Sequence, residues 1–143
     1  MEISEVRRRL LAALEKARRD AGERRARTDA AAREFDAFLN QRAAPVFQQF
    51  AAALKAETHH FNVFTPASSI RLASERSPEE FIELSLDDSS DPPAVIGRTT
   101  RGRGRRMVST ERTIGGGAPI ADLTDEDVLA FLLEEITGLI ERS

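Results

Sequence analysis

Cysteine, tryptophan and tyrosine are missing from this chain of 143 residues, and it has only two histidines. Without cysteine there are no disulfides, no thiol nucleophile, no iron–sulfur cluster and no cysteine-based zinc site. The two histidines are neighbours, His59 and His60, which leaves little material for an imidazole metal site or a catalytic dyad. Lysine is almost absent too: 19 of the 21 basic residues are arginine, the exceptions being Lys16 and Lys55. Aromatic burial falls to eight phenylalanines.

No window approaches 18 consecutive apolar residues, so no membrane span is expected. The start, MEISEVRRRLLAALEKARRD, has neither the basic region nor the apolar run of a secretory signal, and a cytoplasmic location is the expectation. What is present, 41% hydrophobic and 31% charged residues with a net charge of −3, suits one soluble globular domain and not a disordered chain.

From Ile3 to about Gln41 there is no proline and one glycine, and Ala, Arg, Glu and Leu predominate. That composition favours a helix of about 58 Å, roughly twice the diameter of a small domain. Ile3, Val6, Leu10, Leu14, Ala17 and Ala21 recur every three or four residues. The stripe has a polar gap at Arg24 and Thr28, then resumes at Ala31, Phe35, Phe38 and Leu39. Pro45 predicts a stop or kink, with a second helix restarting at Ala44-Pro45-Val46 and ending near Glu57. Residues 1–58 therefore read as a helical arm with a break near Pro45, either folded back as a hairpin or extended as a coiled-coil arm. The heptad-like spacing favours pairing with another chain over a solvated helix held at one end. Ile3, Val6, Leu10, Leu14, Phe35, Phe38 and Leu39 are the candidate partner-binding residues.

Residues 59–143 change period. Phe61, Val63, Ile70 and Leu72 alternate with polar residues around a disturbance at Pro66, and Ile82, Leu84 and Leu86 alternate cleanly. Val95-Ile96 and Met107-Val108 mark two more strands. Four strands with short loops predict an antiparallel meander, because parallel strands would need longer crossovers. Thr124 followed by Asp125, Glu126 and Asp127 reads as a helix N-cap with acids in the first turn. Behind it, Val128, Leu129, Leu132, Leu133, Ile136, Leu139 and Ile140 form an apolar face that should pack on the sheet. The expected fold is α+β: helical arm, four-stranded meander, closing amphipathic helix.

The sharpest charge feature is Arg98, Arg101, Arg103, Arg105 and Arg106, five arginines in nine residues around a predicted hairpin. Such a ribbon suits nucleic-acid phosphates or an acidic protein surface. It equally suits internal pairing with the seven acids between Glu75 and Asp91. A net charge of −3, and no aromatic among the arginines for base stacking, weigh against a dedicated nucleic-acid binder. Gly115-Gly116-Gly117 lacks the Lys-Ser/Thr of a P-loop, Asp87, Asp88 and Asp91 lack the spacing of a calcium loop, and no serine stands in a nucleophile elbow. No cofactor is implied. The expected function is a non-catalytic interaction or assembly protein, forming a homodimer or holding a heteromeric protein partner through its arm. Nucleic-acid binding through residues 98–106 is the alternative.

Overall fold

The structure is a computed structural model that describes residues 1–140. Helix α1 spans Ile3–Phe38, a π-helical turn follows over Leu39–Ala43, and α2 spans Ala44–Ala56. Strands β1 (Phe61–Phe64), β2 (Ser69–Ser74), β3 (Phe81–Asp87), β4 (Ala94–Arg103) and β5 (Arg106–Thr113) come next, then two short 3₁₀ turns, and α3 (Asp125–Ile140) closes the chain. The strands form one antiparallel sheet in the order β1-β2-β3-β4-β5. The fold is α+β, as the sequence predicts.

The sheet has five strands and not four. The expected first strand is two, paired antiparallel with Phe61 opposite Ser74 and Phe64 opposite Arg71. Pro66 has no N–H for a ladder, and its carbonyl accepts from the Ser69 N–H at 2.9 Å while Ser68 takes a left-handed φ of 57°. That closes a tight turn where the alternation suggested only a disturbance.

Pro45 does not stop the helix either. Phe38, Leu39, Ala43 and Ala44 all keep right-handed helical angles. In the π turn the Ala44 N–H reaches the Leu39 carbonyl, one residue further back than in an α-helix. The widened turn just before proline gives its ring space and lets Pro45 occupy the first turn of α2, where its missing N–H costs little. The folded-back helical hairpin is excluded. The helix ends with Thr58 at φ 70° and the His59 N–H on the Leu54 carbonyl at 2.8 Å, a Schellman-type C-cap.

The core lies on one face of the sheet. Ile70, Leu72, Ile82, Leu84 and Val95 meet Phe35, Phe38, Phe47 and Leu54 of the helical segment and Val128, Phe131, Leu132 and Ile136 of α3 in one hydrophobic cluster. The lower part of the long helix is thus core, continuous with the sheet. Helix α3 is capped as expected: the Thr124 hydroxyl accepts from the Asp127 N–H at 3.2 Å, and the Asp127 carboxylate accepts from the Thr124 N–H at 2.8 Å, a reciprocal capping box. It sits close on the sheet because Gly97 has no side chain. A Cβ there would stand 2.3 Å from the Phe131 ring.

Candidate interaction surfaces

Burial in α1 begins at Ala31. Above it the helix leaves the head, so residues 3–28 project by about 38 Å at 1.5 Å per residue. Along this arm Ile3, Val6, Leu10, Leu11 and Leu14 are 88%, 48%, 55%, 53% and 41% exposed. Single apolar residues on a surface are ordinary, but five on one projecting helix form a patch that the head does not cover. The seven predicted arm residues therefore divide. Ile3, Val6, Leu10 and Leu14 are free, whereas Phe35, Phe38 and Leu39 are buried in the chain's own core. Leu11 belongs with the first group; it stands beside the 3–4 stripe and not in it, so periodicity alone passed it over. The arm is also basic, residues 1–29 holding nine basic against six acidic groups in a chain whose net charge is −3.

The five arginines divide as well. Arg98 lies mid-sheet, where its guanidinium reaches Glu83 at 3.3 Å and stands 5.4 Å from the Phe81 ring centroid. Arg101 lies over Gly138 of α3, with Nη1 2.8 Å from where a Cβ would be. Pairing with β3 ends at Thr100 opposite Phe81, so the last residues of β4 and the first of β5 extend beyond the sheet as a two-stranded ribbon. Gly104, at φ 66°, turns the ribbon, with Arg103 paired across from Arg106. Arg103, Arg105 and Arg106 are exposed and have no ion pair among the described residues. Among the described residues the tip therefore keeps three positive charges without an ion-pair partner.

Sequence reading missed a third feature on the sheet face opposite the core. Arg71, Glu83 and Arg98 form one row across β2, β3 and β4. The Glu83 carboxylate is nearly buried and takes Arg71 at 2.7 Å and Arg98 at 3.3 Å. Arg71 also stacks on Phe81, 3.9 Å from its centroid. Two cations over one ring and one carboxylate account for the burial of Phe81 on a face without helices in its core cluster. Only the register brings these residues together; in the sequence Glu83 is an ordinary polar position of an alternating strand and carries no signal of its own.

Two of the surface concavities lie beside these features. A cavity of about 300 Å³ is lined by His59, His60, Ser74, Arg76 and Glu80 beside the end of α2. A groove of about 530 Å³ runs at the arm base between Ala30, Ala31, Pro92, Pro93 and Ile120. Among the described residues no three His, Asp or Glu come together as metal ligands, and no helix is long and apolar enough to cross a membrane. No protein family, curated protein or solved structure matches the chain.

Proposed function

We propose that this chain is a non-catalytic assembly protein that self-associates or holds a protein partner through its N-terminal arm. One observation carries the reading: a continuous helix is core below Ala31 and leaves five large apolar side chains in water above it. Burying what is still exposed of such side chains stabilises by about 1 kcal/mol each, and the head offers them nothing to pack on. A partner supplies that burial, and packing of an amphipathic face is the main source of helical stability in proteins.

The test is light scattering on the whole chain and on the Leu10→Glu/Leu14→Glu variant. The expected result is a multiple of the chain mass, or a complex captured with a partner, that falls to monomer in the variant while the head keeps its unfolding midpoint. Association unchanged in the variant counts against the arm.

A second reading has its own observation, three exposed arginines at the ribbon tip with no ion pair among the described residues. It is nucleic-acid binding through phosphate contacts. It requires salt-sensitive mobility shifts whose log–log salt slope drops by roughly 3 when Arg103, Arg105 and Arg106 are changed to Ala. Binding that ignores salt, or survives those changes, removes it.

A further inference from the structure

We propose that the cavity between α3 and strands β4 and β5 binds a small zwitterion, a free α-amino acid with a short polar side chain. The proposal is independent of what the arm holds.

Strand alternation builds the cavity. Gly97 faces Phe131 and Arg101 faces Gly138, so Thr99, between them on β4, faces α3 as well. Thr110 stands opposite Thr99 on β5. Glu134, Glu135 and Gly138 of α3 complete the lining of a space of about 330 Å³, a size at which concave sites hold small ligands. Thr110 and Glu134 are exposed and mark the mouth, whereas Thr99 is only 5% exposed and lies at the bottom.

Three observations define the ligand. The Thr99 hydroxyl oxygen is buried and has no hydrogen-bond partner among the described residues. A hydroxyl so placed is costly unless a group in the cavity bonds it. The Arg101 guanidinium has no ion pair among the described residues, although two carboxylates line the same cavity. It rests over Gly138, with Nη1 2.8 Å from the place a Cβ would take. Glycine disfavours a helix relative to alanine, and here its bare backbone is what gives the guanidinium room. The carboxylates are held toward the other end, where Arg112 takes Glu134 at 2.6 Å and Glu135 at 3.0 Å. One guanidinium shared by two carboxylates leaves that end net negative.

The cavity therefore carries a positive charge at Gly138, a net negative charge near Arg112 and threonine hydroxyls between them. A lone anion would meet two carboxylates, a lone cation would meet Arg101, and a neutral polyol would leave both charges unanswered. An α-amino acid answers each group: its carboxylate pairs with Arg101, its ammonium donates to the glutamates, and a short polar side chain bonds Thr99. No large apolar side chain lines the space, so a long or apolar ligand gains nothing there.

The test is an amide NMR titration of the full-length chain with L-serine as the probe. Saturable shifts are expected at millimolar concentration, centred on Thr99, Arg101, Thr110 and Gly138. Arg101→Gln and Thr99→Val are each expected to weaken binding about tenfold, the usual loss for a hydrogen bond to a charged group. Acetate and ethanolamine carry one charge each and glycerol carries none. Shifts from any of the three that match those from L-serine, or undiminished binding in Arg101→Gln, overturn the zwitterion assignment. Thr99→Val keeps the shape and removes a hydroxyl that has no partner, so without L-serine its urea midpoint is expected to equal or exceed the parent's. Absence of L-serine shifts in the parent overturns the proposal, and a lowered Thr99→Val midpoint alongside it would make the cavity a site for ordered water alone.

Discussion

Gly97→Ala is a one-methyl change whose sign the structure decides against the usual rule. Gly97 has no positive φ, so alanine suits its backbone. On that ground alone Gly→Ala stabilises by about 0.4–1 kcal/mol through the unfolded chain. The space says otherwise. The added Cβ would stand 2.3, 2.5 and 2.9 Å from three carbons of the Phe131 ring, where carbon contacts prefer about 3.5–4.0 Å. Phe131 would have to retreat by more than about 1 Å, but it is 2% exposed and sits in the core cluster. Arg112 also stacks on its ring at 4.9 Å, held there by Glu134 at 2.6 Å and Glu135 at 3.0 Å. Overpacking of this kind costs about 1–3 kcal/mol. After the entropic gain is set against it, a net loss of about 1–2 kcal/mol is expected, or roughly 3–7 °C in Tm for a chain of this size. Lacking Trp and Tyr, the protein has to be followed by far-ultraviolet circular dichroism in urea, at one fixed protein concentration so that association does not enter. The cycle is completed with Phe131→Leu, whose slimmer side chain leaves room for the methyl, and a coupling of at least about 0.5 kcal/mol is expected. If Gly97→Ala is as stable as the parent, or adds independently to Phe131→Leu, the close approach of α3 to the sheet is not what holds Gly97 in place.

Glu83→Gln keeps the shape of the outer-face cluster but removes the charge that holds two guanidinium groups. Its partners are partly solvated, so a loss of about 1–3 kcal/mol in urea midpoints is expected, below the full cost for a buried pair. A loss under about 0.3 kcal/mol would mean that stacking of Arg71 on Phe81 is sufficient without the ion pair. Asp87, at the end of β3, accepts hydrogen bonds from the Ser89 hydroxyl and from the Ser89 N–H, the latter at 3.0 Å, and these hold its carboxyl below the ordinary carboxylate range. A lowered folded-state value means that the bonded loop is favoured fully above the unfolded carboxylate pKa of about 3.9. The advantage is lost as pH falls through the folded value. Ser89→Ala is expected to move the Asp87 titration upward in carboxyl-carbon NMR; an unmoved midpoint would show that Ser89 is not the cause.

Much of the fold was legible because its signals are local. A helix of Ala, Arg, Glu and Leu, an alternating Ile82-Glu83-Leu84 and an N-cap at Thr124 each rest on residues within a turn or two of one another, and all three stand where periodicity put them. The errors came at prolines. Pro66 separates two strands through a turn that needs Ser68 in a left-handed conformation, which serine seldom advertises. Pro45 is absorbed by a π turn, a shift of hydrogen-bond partner by one residue that no composition reveals. The candidate surfaces were read less well. Seven apolar positions on one stripe looked equivalent, yet Phe35 sits at 2% exposure and Ile3 at 88%. The arginine run looked like one patch, yet Arg98 is tied to Glu83, fifteen residues away in sequence and directly across in register.

The sequence by itself determined the α+β order, the long arm, the closing helix and the exclusion of every cysteine-dependent chemistry, because composition and short-range periodicity act through neighbours along the chain. Only the tertiary structure decided where the head stops covering the arm, which arginines keep their charge unpaired, and which side of the helix is left in water. Those depend on what lies across the sheet or on the next helix, and contacts between residues distant in sequence are settled when the chain packs.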